Sequence, residues 1–109
     1  MKLDKLYQEK LGDFNGELHL LLISPYGDEN SIGVIDNQFD WEINEFHTIS
    51  DKQFYDLDEA IYVAKKLADK HNLRYIPFES RYCHFFEEKF ESSIEQDIEK
   101  FIKEYKDGD

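Results

Sequence analysis

The sequence predicts a small α+β domain, with a four-stranded sheet, antiparallel or mixed, packed against helices in the order α-β-β-β-α-β-α. Three observations carry that expectation. Apolar residues recur at helical spacing in three segments, and run together or alternate with polar residues in the stretches between them. The first three strand-like stretches are joined by short segments rich in turn residues, which favours an antiparallel meander. One clear helix separates the third strand from the fourth, as a crossover does. With 109 residues, 5 Gly, 2 Pro, and neither repeat nor linker, residues 1–109 read as a single domain with helices on one face of its sheet.

Residues 2–11 predict a short helix, because Leu3, Leu6, Tyr7 and Leu11 fall on one face and Gly12 can end it. Asp13-Phe14-Asn15-Gly16 is a turn. Residues 17–24 predict a strand. Its run from Leu18 to Ile23 is nearly all apolar, as in a central strand buried on both faces. A turn-rich loop from Pro25 to Asn30 leads to a second strand, Ser31 to Ile35, and Asp36-Asn37 reads as a hairpin turn. A third strand over 39–47 alternates Phe39, Trp41 and Ile43 with Asp40, Glu42 and Asn44.

Residues 57–71 carry the clearest helical signal. Leu57, Ala60, Ile61, Ala64, Leu67 and Ala68 form one apolar stripe. Asp56 suits the N-cap with Glu59 three residues on, and Asn72 suits a left-handed end. Residues 73–78 read as a fourth strand, which Pro77 confines to an edge or shortens. Residues 83–106 read as a long last helix, with Phe86, Phe90, Ile94, Ile98, Phe101 and Tyr105 on one stripe.

No motif specifies a reaction, so the chain is not expected to be an enzyme, and no cofactor or metal is expected. Cys83 and His84 are neighbours on an expected helix, where adjacent side chains point about 100° apart, and a catalytic cysteine also needs a base and an orienting group. Glu87-Glu88-Lys89 resembles the Glu-x-Lys element of some metal-dependent nucleases, but its expected helical setting would splay Glu87 from Lys89. Asp36-x-Gln38-x-Asp40 lacks both the glycine and the final Glu of a calcium loop. One cysteine excludes an internal disulfide. The N-terminal residues do not read as a signal peptide, and the longest apolar run, Leu20 to Ile23, is far too short for a membrane span. A cytoplasmic protein is expected, in the host cytoplasm if the chain is phage-encoded.

Charge is more informative than any motif. The net charge is −12, which disfavours direct contact with nucleic acid or an anionic membrane and suits a basic protein partner. An ordinary acidic protein could carry the same charge for solubility alone. Its distribution is less ordinary. No Lys or Arg occurs from Leu11 to Asp51, while nine Asp and Glu do. A second concentration, Glu87, Glu91, Glu95 and Glu99 at four-residue spacing, is expected to form a ridge on the last helix.

The candidate partner-binding residues are therefore Asp36, Asp40, Glu42 and Glu45 on the sheet, and Glu87, Glu91 and Glu95 on the helix. The exposed aromatics that could anchor such an interface are Tyr26, Trp41 and Tyr62. The expected class is a macromolecular inhibitor that acts by binding. Its acidic surface would stand in for nucleic acid before a basic nuclease or CRISPR effector, as phage anti-defence proteins do. Two alternatives are an immunity protein against a basic nuclease toxin and a small enzyme or ligand-binding domain around Cys83, His84, His47 and Tyr82.

Overall fold

The computed structural model describes residues 3–12, 17–24, 29–37, 44–76, 83–87, 90 and 92–108. For Asp36, Asn37, Asn44, Glu45, Cys83, His84, Phe85, Glu87 and Ser92 it describes the backbone alone. The elements run α1 (Leu3–Leu11), β1 (Glu17–Ile23), β2 (Asn30–Asn37), β3 (Asn44–Phe54), α2 (Leu57–His71), β4 (Arg74–Tyr75), β5 (Cys83–Glu87) and α3 (Ser92–Asp107). The α+β class holds, and the four expected strands all form within a mixed sheet. A fifth strand joins them where helix was expected, giving the strand order β4-β1-β2-β3-β5.

β1, β2 and β3 form the antiparallel meander. β4 pairs with β1 in parallel, and β5 pairs with β3 in parallel, so the two short strands form opposite edges. Every residue of β1 after Glu17 is buried, as its apolar run requires of an internal strand. Leu18, Leu20 and Leu22 face the helices with Ile32, Val34, Ile49 and Phe54. All three helices pack on that face, through Leu3 and Leu6, through Ala60, Val63, Ala64 and Leu67, and through Ile94, Ile98 and Ile102. Leu21, Ile23, Ile35 and Phe46 form a smaller buried cluster on the other face.

The caps of α2 are those the sequence suggests. Asp56 sits at φ −102°, ψ 112°, and its carboxylate accepts the N–H of Asp58 at 3.0 Å. Asn72 is left-handed at φ 56°, ψ 42°, and the Leu73 N–H returns to the Ala68 carbonyl at 2.8 Å. Gly12 closes α1 at φ 99°, with its N–H on the Gln8 carbonyl at 3.0 Å.

Four expectations need correction. Asp36 and Asn37 are not a turn, because both stay in the β2 ladder opposite Leu18 and Glu17. β3 is displaced toward the C-terminus. It ends at Phe54 and not at 47, and its register to β2 jumps from Gly33–Thr48 to Ser31–Gln53. That irregularity, where the Ser50 hydroxyl accepts the Lys52 N–H at 2.9 Å, breaks the period-2 pattern that marks a strand in sequence. Phe39, Asp40, Trp41, Glu42 and Ile43 lie outside the described residues.

Leu57 begins α2 but is 54% exposed, so it is not part of the buried stripe. The expected helix over 83–106 is two elements, β5 and then α3. Cys83-His84-Phe85-Phe86 is rich in strand-forming aromatics, whereas Ser92-Ser93-Ile94-Glu95 carries helix-start residue types. The shared helical spacing of Phe86, Phe90 and Ile94 hid that boundary.

Candidate functional site

The corrected chain path reshapes the acidic surfaces. The stretch without Lys or Arg contributes β1, β2 and the first part of β3, three neighbours in the sheet. Asp36 lies near the end of β2 opposite Leu18, and Glu45 lies at the start of β3 opposite His84 of β5. Asp40 and Glu42 fall between those two strands, outside the described residues.

The expected helical ridge does not form as a unit. Glu87 is on strand β5, opposite Thr48, and Glu91 lies outside the described residues. Glu95 remains, half-buried in the first turn of α3, where a carboxylate complements the helix dipole. Glu99 is taken up by Lys52 of β3, whose ammonium donates to it at 3.0 Å. The strand position of Glu87 also removes the helical argument against the Glu-x-Lys pattern. Its other two residues, Glu88 and Lys89, lie outside the described residues.

Cys83 and His84 lie on β5 opposite Asn44 and Glu45, and Tyr82 lies outside the described residues. His47 is buried between two rings, stacked on Phe86 at 5.3 Å between centroids and edge-on to Tyr7 at 5.7 Å. That is a packing role. Among the described residues no group of three His, Cys, Asp or Glu could hold a metal ion, and no helix is long and apolar enough to cross a membrane. Of the expected aromatic anchors, Tyr26 and Trp41 lie outside the described residues. Tyr62 is half-buried against Tyr105 at 5.4 Å, under the Lys66 ammonium.

Two local arrangements were not legible in the sequence. At the junction of α2 and α3, the Lys70 ammonium pairs with the Asp97 carboxylate, and His71 Nε2 lies 3.9 Å from the same group. Burial pushes the His71 pKa below its ordinary value, against the opposing pull of Asp97. Farther along the same helix pair, Tyr62, Lys66, Lys100, Lys103 and Glu104 line a shallow groove of about 600 Å³.

The second arrangement is the corner between β3 and α2. Tyr55 is 70% exposed, and Asp56, Leu57 and Asp58 beside it are exposed too. Burial, followed by the carboxylates of Asp56, Asp58 and Glu59, holds the nearby Tyr105 phenol above its ordinary pKa. Comparison with family models, with curated proteins and with solved structures finds no match to this chain.

Proposed function

We propose that the protein is a macromolecular inhibitor that acts by binding, of the phage or mobile-element anti-defence kind. Its acidic surface takes the place of nucleic acid on a basic nuclease or CRISPR-type effector. One observation carries the reading: the 41-residue stretch from Leu11 to Asp51 holds no Lys or Arg and supplies β1, β2 and most of β3, three neighbours in the sheet. Carboxylates on adjacent strands then share a field in which the one cation of β1 to β3, Lys52 near the end of β3, is engaged with Glu99, and such a field accelerates encounter with a basic partner. A large net negative charge is also what a protein needs if it is to occupy a channel built for phosphates.

The test is retention of purified basic nucleases and CRISPR-type effectors on the immobilised protein at moderate salt, with competing DNA. The reading expects at least one to be retained and then displaced by DNA. Retention of none sinks it. Retention of a nuclease toxin encoded directly upstream would assign the same surface to an immunity protein.

A further inference from the structure

Among the described residues three large hydrophobic side chains are exposed, and two of them, Tyr55 and Leu57, are separated by a single residue. Neither belongs to the buried core or packs against it. Leu57 occupies the first position of α2, where a polar residue would serve the helix equally well. The chain beneath them is pinned. Phe54 is buried, the Asn30 side chain donates to its carbonyl at 3.1 Å, and the Ser24 hydroxyl donates to Asn30 at 2.6 Å. The Tyr55 hydroxyl donates to Glu29 at 3.4 Å, and the Asp56 cap fixes the start of α2. An exposed apolar pair on a pinned corner is preordered for contact, which reduces the entropic cost of binding.

The surroundings select the partner's charge. Glu29 accepts from the Tyr55 hydroxyl, and Asp56, Asp58 and Glu59 lie beside the pair along the chain. In sequence the flanking cations are Lys52, which is engaged with Glu99, and Lys65. The cap made by Asp56 and the first-turn positions of Asp58 and Glu59, which complement the helix dipole, account for those carboxylates within the fold, so they fix only the sign of the partner. The apolar pair is what calls for one. A second copy of the chain would bring like charge against like.

We infer that the corner formed by Tyr55 and Leu57 is the anchor of the interface, seating in an apolar depression of a basic protein whose Lys and Arg side chains meet Asp56, Asp58, Glu59 and Glu29. The inference rests on the proposed function and names the point of contact. It also puts the anchor at the start of α2, in place of Tyr26, Trp41 or Tyr62.

Two synthetic peptides of equal length and charge test it, one of Lys, Arg, Gly and Ser alone, the other with Leu and Trp at its centre. Amide chemical shifts of the full chain are followed during titration with each. The apolar-centred peptide should bind about tenfold tighter, about 1.4 kcal/mol, with shifts centred on residues 55–59, as expected of an anchor side chain. The double substitution Tyr55→Ser, Leu57→Ser should erase that margin and leave the weaker, salt-sensitive binding of both peptides. Equal affinities, an unchanged margin in the variant, or shifts centred elsewhere overturn this inference alone. Binding of neither peptide at low salt overturns the proposed function as well. Concentration-dependent broadening at residues 55–59 without peptide assigns the pair to self-association and also overturns the inference.

Discussion

The Nδ1 atom of His71 accepts a hydrogen bond from the Leu3 backbone N–H at 3.3 Å, tying the start of α1 to the end of α2. An accepting Nδ1 carries no proton, so the neutral ring holds its proton on Nε2, toward Asp97 at 3.9 Å. Protonating Nδ1 would set two donors face to face. Burial already lowers the His71 pKa below 6.5, with Asp97 and Asp4 opposing and Lys70 assisting.

The unfolded chain therefore takes up a proton first as the pH falls. The stability that neutral His71 contributes is complete above about 6.5 and is lost progressively below it, toward the lowered value in the fold. Urea denaturation at pH 7.5 and at pH 5 should show this loss, and His71→Gln should flatten that part of the profile. An equally steep acid limb in the variant would assign it to other groups.

Gly33 is a steric requirement of the sheet. A Cβ there would come within 2.5 Å of both the His47 carbonyl oxygen and the Phe46 ring, and the first of these is backbone that cannot yield cheaply. Gly33→Ala should cost about 1–3 kcal/mol, read as a lower urea midpoint at unchanged slope. A neutral result would mean that the β2–β3 pair can separate more than this packing permits.

At the end of α2, Asn72 occupies a left-handed conformation that most residues avoid. Asn72→Ala should destabilise by about 1 kcal/mol, and Asn72→Gly should be close to neutral. If the two behave alike, the left-handed cap contributes nothing to stability.

These positions show what the sequence could and could not convey. Asp56, Asn72 and Gly12 are read from single residues, because caps depend on local geometry that residue type selects directly. The β1–β2–β3 meander is legible because burial on both faces leaves an apolar run in β1. β5 was hidden because Phe86, Phe90 and Ile94 continue a helical spacing across a real boundary, and tertiary pairing with β3 decides the matter. The Tyr55–Leu57 corner was hidden for a similar reason. Leu57 fits the helix stripe by spacing, and only the position of the helix on the sheet leaves it in solvent.

The sheet carboxylates make a separate prediction. Replacing Asp36, Asp40, Glu42 and Glu45 together by Lys should weaken binding of a basic partner at least about tenfold and reduce its salt dependence. The circular dichroism spectrum should remain that of the folded protein. Unchanged affinity in a folded variant would place the interface away from this part of the sheet.

The most direct measurement of the central claim is the affinity of a purified basic nuclease or CRISPR-type effector for this protein across a salt series, with and without competing DNA. The account predicts binding that weakens steadily with salt, excludes DNA from the same partner, and falls in the charge-reversed variant. Binding that is indifferent to salt, or a ternary complex in which DNA and this protein occupy the partner together, would contradict it.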